Sequence, residues 1–346
     1  MRHVDYIIVG CGLASVAFCE ILKAENKSFV VFDDASQKSS IVAAGLYNPV
    51  ILKRFTKVWQ SKEQLHLVNS MYPKLEKELG IKVDHKLKIL RRFASIEEQN
   101  LWFEAQSKPE LETYMSPDII KTSLPCIDAP FHFGEVLHAG RIDTKTLLMA
   151  YKERLKSKHH LLEEQFQYDA MTHSEEGVVY KDIKAKHAVF AEGFGVKRNP
   201  YFKDIKLNGN KGEVLTIEAP DLHLNVAIKS SVFLLPIGQY RYYVGATYNR
   251  EDKSQEPTLK AKEELLRKLR SILKCDFKVV NHVAGIRPTT VDRRPLVGRH
   301  SKHKNLYVLN GLGTRGVMIG PYVSQQLFQL IEYDEPLDME INFQRF

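Results

Sequence analysis

The stretch Val283-Ala-Gly-Ile-Arg-Pro-Thr-Thr-Val-Asp-Arg-Arg-Pro-Leu-Val-Gly298 carries three arginines, at positions 287, 293 and 294. A guanidinium is a planar fork of donors that grips a carboxylate or phosphate through two parallel, charge-assisted bonds. Arginines also populate plain basic turns, so the spacing alone leaves both readings open. Near the other end, Gly10-Cys-Gly-Leu-Ala-Ser15 is followed by Asp33, 21 residues after Gly12. That is close to the roughly 20 residues expected between a dinucleotide-binding turn and its ribose-binding acid. Gly10 permits the tight turn and Gly12 lets backbone approach a pyrophosphate. Leu13 and Ala14 open the helix whose unpaired N–H groups face that anion. Asp33 accepts hydrogen bonds from ribose hydroxyls, and its charge argues against a 2′-phosphate. Asp34 joins it in the candidate cofactor set. Ser15 replaces the usual third glycine, where only close packing of helix on strand is at stake.

Such residues need elements to hold them. Tyr6-Ile-Ile-Val9 is a continuous apolar run, the pattern of a strand buried on both faces. Leu13, Val16, Ala17 and Ile21 then repeat at helical spacing, and Ser28–Phe32 is a second strand ending at Asp33. Much later, Lys186-His-Ala-Val-Phe-Ala-Glu-Gly-Phe-Gly195 is another strand running into a glycine turn. Leu306–Leu309 runs into Asn310-Gly-Leu-Gly-Thr-Arg-Gly316, and a helix follows with Val323, Leu327, Leu330 and Ile331 on one face. Pro321 is expected in its first turn. Arg141–Leu155 reads as a helix capped by Asp143 or Thr144. Lys211–Glu218, Ser231–Pro236 and Arg241–Thr247 read as strands, the last two joined as a hairpin through Ile237–Tyr240. Val279–Ile286 is a strand that Arg287 ends, with Pro288 fixing the direction beyond it.

The totals bound the class. The 346 residues, 44% hydrophobic and 27% charged, suit a soluble chain of two domains or one large domain with an insertion. A net charge of +8 and a pI near 9.1 favour anionic partners. Much of that charge sits on solvated faces such as Leu259–Arg270, an amphipathic helix. The four cysteines show no metal-ligand spacing and are too sparse for a disulfide framework, which points to reducing cytoplasm. Asp5 and the glycine turn make the N-terminus a strand-turn-helix rather than a leader, and membrane insertion is not expected.

A dinucleotide dehydrogenase would continue with further βα units. This chain instead has the small-residue loop Ala43-Ala-Gly-Leu-Tyr-Asn-Pro-Val50. Together GCGLAS, AAGLYNP, AEGFG and GIRPTTVDRRPLVG…NGLGTRG resemble the FAD-dependent D-amino-acid-oxidase superfamily, in its glycine and sarcosine oxidase branch. They also resemble the FAD oxidase domain of the bifunctional enzyme that makes 5-methylaminomethyl-uridine in tRNA. The resemblance implies an α/β (α+β mixed) fold, a Rossmann-like FAD-binding domain with an inserted mixed β-sheet cap. Residues 1–85, 137–208 and 286–346 would form the first, and 86–136 with 209–285 the second.

It also implies hydride transfer to flavin from a carbon bearing nitrogen in a small amine or amino acid. Molecular oxygen or another acceptor would then reoxidise the flavin. Arg287 would bind substrate carboxylate beside the flavin, the alternatives being a pair with Asp292 or a backbone carbonyl. Arg293 and Arg294 are expected on a turn surface. Gly311, Gly313, Thr314, Arg315 and Gly316 would lie along the flavin, with Arg315 adding charge to its edge or binding substrate. Ala44, Gly45 and Leu46 join the cofactor set, as do Ala191, Glu192 and Gly193. Tyr47 and Phe233 are candidate substrate contacts. Glycine oxidases place an arginine where this chain has Thr314, and often a tyrosine at Phe233. The cysteine that binds flavin covalently in sarcosine oxidases is missing from Arg287–Thr290, so non-covalent FAD is expected. His138 and His282 are read as structural. The alternative substrate is a carboxymethyl group on a wobble uridine, with tRNA as partner.

Overall fold

Tyr6-Ile-Ile-Val9 is fully buried and forms the inner half of β1 (Arg2–Val9), as a run apolar on both faces requires. The computed structural model describes residues 1–121 and 124–346. Strand β1 pairs in parallel with β2 (Phe29–Phe32) on one side and β14 (Ile183–Phe190) on the other. Parallel β11 (Leu161–Leu162) lies beyond β2, and parallel β21 (Leu306–Asn310) beyond β14. Antiparallel β12 (Met171–Ser174), β13 (Gly177–Tyr180) and β20 (Leu296–Arg299) complete this eight-stranded sheet. One face carries α1 (Leu13–Ala24), α2 (Ser61–Leu79), α4 (Thr144–Ser157) and α6 (Gly316–Tyr333), whose apolar stripes close over Tyr6, Ile8, Val31 and Leu309. The opposite face packs Ile7, Val30 and Phe190 against Phe166, Tyr180 and Phe202.

A second eight-stranded sheet runs β19 (Lys278–Thr290), β15 (Leu207–Glu218), β18 (Arg241–Gly245), β17 (Phe233–Gly238), β16 (Ala227–Lys229), β7 (Ile89–Arg92), β9 (Phe133–Val136), β8 (Met115–Ile120). Only β16 and β7 pair in parallel within it. Helices α3 (Ile96–Gln106) and α5 (Leu259–Arg270) flank it. Short pieces fill in: β3 (Leu46–Tyr47) and β6 (Asp84–Lys86) pair on either side of β10 (Gly140–Ile142), and β4 (Val50–Ile51) pairs with β5 (Thr56–Lys57). The fold is the mixed α/β arrangement expected, with two separate cores in each half.

Three local expectations are corrected. Arg141 and Ile142 belong to β10, and α4 starts at Thr144, where Asp143 accepts from the Thr146 amide at 3.2 Å. Arg287 does not end its strand; β19 continues through Pro288 to Thr290. Proline is tolerated there because β19 is an edge strand, where a missing N–H breaks no ladder. The boundary expected between 285 and 286 therefore falls inside one continuous strand. Pro321 lies one turn deeper than expected, because α6 begins at Gly316. Its missing N–H frees the Val317 carbonyl, and the Tyr72 hydroxyl donates to that oxygen at 2.9 Å. A partner from α2 thus repairs what the proline removes. Among the described residues no helix is long and apolar enough to cross a membrane.

Candidate active site

The carboxyl ends of β1, β2, β14 and β21 point the same way, and each runs at once into a candidate residue. Val9 leads to Gly10, Phe32 to Asp33, Phe190 to Ala191-Glu-Gly193, and Asn310 to Gly311. Parallel sheets place ligands outside these ends. A cavity of about 1760 Å³ opens there and continues beneath the second sheet.

At its inner end Gly10 has φ +96°, and a Cβ would stand 2.6 Å from the Ala191 carbonyl oxygen. Only glycine lets these two strand ends touch. Ser15 fills the third-glycine position and turns its hydroxyl onto the Gly10 carbonyl at 2.7 Å, bracing the turn. Gly12 caps α1 without a side chain, and no acid sits in the first turn. Arg315 caps α6 in the same way. Two helix N-termini without an N-cap side-chain bond therefore border one cavity; apart from the Leu13 amide, which donates to Ser40 Oγ at 3.3 Å, they offer it first-turn N–H groups and a positive dipole end.

Asp33 accepts the Cys11 amide at 3.1 Å on one oxygen and the Lys152 ammonium on the other. Each oxygen keeps a further lone pair for a ribose hydroxyl. Asp34 is turned to the Ser36 amide at 2.9 Å, which with nearby Arg198 holds its carboxyl below the ordinary range despite burial. Glu192 is buried and receives Asn199 Nδ2 at 2.8 Å and the Tyr168 hydroxyl. Loss of water dominates, and its pKa is pushed up to about 7.

Leu13, Ala14, Ala44, Gly45, Leu46 and Gly193 line the cavity, as do Gly311, Gly313, Thr314 and Gly316. Phe233, Arg287 and Arg315 line it as well. Tyr47 does not: it is buried between strands and donates to Asp84 at 2.8 Å while accepting from Lys86 at 2.9 Å. Its hydroxyl is spent inside the small β3–β10–β6 sheet.

The arginines separate as their neighbours dictate. Arg345 claims Asp292 at 2.8 and 3.1 Å, so Asp292 is not the partner of Arg287. Arg287 donates once, to the Thr247 carbonyl at 3.2 Å, and stacks 4.8 Å from the Tyr248 ring. None of the described residues sets a carboxylate against it, and desolvation lowers its pKa. Arg315 donates to the carbonyls of Asn48 (2.9 Å) and Val50 (3.4 Å), and burial pushes it down to about 10. Arg293 is exposed, while Arg294 pairs with Glu340 at 2.9 Å and lies over Trp59. His282 faces Glu213, and His138 packs edge-on to Tyr114.

Lys152, Asn210, Lys229 and Tyr248 also line this region or brace its residues. Nothing in a helix or strand pattern marks them.

The residues fit a flavin dinucleotide by the two uncapped helix ends, the glycine contact at Gly10, and the buried Asn210. Its Oδ1 has no partner among the described residues, a vacancy for a donor.

Comparison with known proteins agrees. The model of the FAD dependent oxidoreductase family matches residues 5–330. A glycine oxidase from Bacillus subtilis (strain 168) is 24% identical over 95% of this chain and 93% of its own length. The crystal structure of glycine oxidase from Geobacillus kaustophilus superposes with a TM-score of 0.82 at 19% identity, covering 100% of both chains, a likeness of fold. A tRNA 5-methylaminomethyl-2-thiouridine biosynthesis bifunctional protein from Idiomarina loihiensis is 27% identical over 33% of this chain and 20% of its own length.

Proposed function

The chain belongs to the FAD-dependent oxidoreductase family, and from that premise we propose that it oxidises the carbon–nitrogen bond of a small amino acid or N-substituted glycine. Arg287 carries the reading: a half-buried guanidinium in the cavity wall that has, among the described residues, one carbonyl contact and no acid beside it. A desolvated cation without a counter-ion gains most from an anionic ligand. A substrate carboxylate would take both prongs and fix the adjacent C–H against the cofactor. FAD, when bound, supplies the two-electron acceptor for that C–H hydride, and oxygen or another acceptor takes the electrons onward. Water hydrolyses the resulting imine to a carbonyl compound and an amine.

The protein's own work is positioning and charge. Arg287 holds the carboxylate, Phe233 supplies an apolar floor, and the α6 N-terminus with Arg315 favours negative charge at its side of the cavity. Gly10, Gly12 and Asp33 would hold the dinucleotide end, with the adjoining cofactor residues named above. FAD is held without a covalent bond, and the four free cysteines suit a reducing, cytoplasmic setting. The relative named for tRNA biosynthesis matches only a third of this chain, so a small molecule is the substrate proposed.

Arg287→Ala tests the reading. The variant should stay yellow with FAD, while anaerobic flavin reduction by amino acids falls about 100-fold or more, as expected when one buried charge pair worth about 3 kcal/mol is lost. Wild-type reduction rates in the variant would remove Arg287 from the site.

A further inference from the structure

The second sheet presents one continuous row of residues to the cavity. Arg91 pairs with Lys229, Lys229 with Phe233, Phe233 with Gly245, and Gly245 with Val214 across successive strands. Residues directly opposite one another share a face, so these five point the same way. Gly212, two residues from Val214, shares that face too. Two glycines in this patch are cleared for side chains that lie across them. A Cβ on Gly245 would stand 2.8 Å from Phe233 Cζ, and one on Gly212 would stand 1.9 Å from Arg287 Nη2. The floor is therefore the Phe233 ring, with the Arg287 guanidinium at one side.

Lys229 closes the other side. It lines the same cavity, and its ammonium lies 5.9 Å from the centre of the Phe233 ring, leaning from β16 toward the floor. Its cationic neighbours are already answered. Arg91 pairs with Glu98, and Lys268 with Glu264 at 2.5 Å. Lys229 donates to no oxygen among the described residues and has no acid within ion-pair distance. Burial first, then Arg91 and Lys268, push its pKa down to about 8, so the charge is held at a cost that an anion would remove. From β15, over whose Gly212 the Arg287 guanidinium lies, to β16 is three strand spacings, about 14 Å of backbone. Both side chains reach inward over that span, which leaves room for a compact molecule with an acid at each end.

Resting on the Arg287 reading, we propose that Lys229 is a second anion-binding group of the substrate cavity, so that the preferred substrate is a small amino acid bearing a further carboxylate beyond the one Arg287 holds.

Ligand-induced changes in the flavin spectrum test this in the FAD-loaded protein without turnover. Succinate should bind about tenfold or more tighter than propionate, the effect of one added charge-assisted contact. That ratio should collapse toward one in Lys229→Met and return in Lys229→Arg. Initial rates with aspartate against alanine give the same comparison, read as a difference in KM. If propionate perturbs the flavin but succinate binds no tighter, or if the preference survives Lys229→Met, the second subsite is overturned and the Arg287 clamp stands. If neither acid perturbs the flavin and no amino acid reduces it, both readings fall.

Discussion

Glu192 stands where β14 gives out, walled by Tyr168 and Asn199 and touching the Gly10 turn. Its ordinary pKa of 4.5 is raised to about 7, chiefly by burial. The native state thus holds a proton that the unfolded chain releases between those values. The associated stability is complete below pH 4.5 and is lost as pH rises through 7; the shift amounts to on the order of 3 kcal/mol. Glutamine mimics the protonated acid, with its oxygen on Asn199 and its amide toward the Tyr168 hydroxyl. Glu192→Gln should therefore match wild type in urea at pH 5 and exceed it at pH 8. Equal midpoints at both pH values would show that Glu192 is ionised in the native protein. The arginines show what residue types alone leave open. Arg293 and Arg294 lie in the expected turn, but that Asp292, the acid nearest to Arg287 in sequence, is taken by Arg345 could not be read from residue types. That contact joins residues 53 apart.

Elements built from local pattern were legible; those set by distant partners were not. The apolar run of β1, the helical spacing of α1 and the amphipathic α5 carry their own signal, and each stands where its residues place it. Arg141 and Ile142 continue the periodicity of α4, yet pairing with β3 and β6 draws them into a strand. Pro321 looks like a first-turn residue because a proline deeper in a helix costs a backbone bond. Tyr72 supplies the missing donor from another helix, which no local window reveals. Lys229 and Phe233 come to share a sheet face with Arg287 only through strand register, and Tyr47 is lost to the cavity for the same kind of reason. Register also yields a prediction for the β15–β19 pair. Gly212→Ala would drive its methyl into the Arg287 guanidinium, the far end of a flexible side chain. The strand should form normally, while displacement of the clamp lowers kcat/KM by about 100-fold, typical of a misplacement near 1 Å. Unchanged kinetics in a folded Gly212→Ala protein would mean that Arg287 works from a different position.

At the scale of the molecule, two sheets with separate cores are held on either side of a cavity of about 1760 Å³. Strand β19 links them, pairing with β15 along its length and then meeting the Gly311–Gly316 loop, where Gly313 donates to the Pro288 carbonyl at 2.9 Å. The cavity walls come from both halves, including the turns at Gly10 and Gly311 and the floor at Phe233. A ligand filling it binds the folded arrangement and not the unfolded chain, so FAD and stability are linked by mass action. Free FAD at 100 times its dissociation constant should add about 2.7 kcal/mol, and the melting temperature should climb with the logarithm of FAD concentration. Because Cys11 is the only cysteine among the described lining residues, and it lies in the turn between Gly10 and Gly12 rather than in Arg287–Thr290, acid precipitation should leave the yellow colour in the supernatant. Gly10→Ala breaks the linkage at its source. Its methyl meets the Ala191 carbonyl, main chain that has no cheap way to yield, in a backbone conformation that alanine resists. That variant should need far more FAD for the same rise in melting temperature. A wild-type protein whose melting temperature ignored FAD would place the cofactor outside this cavity.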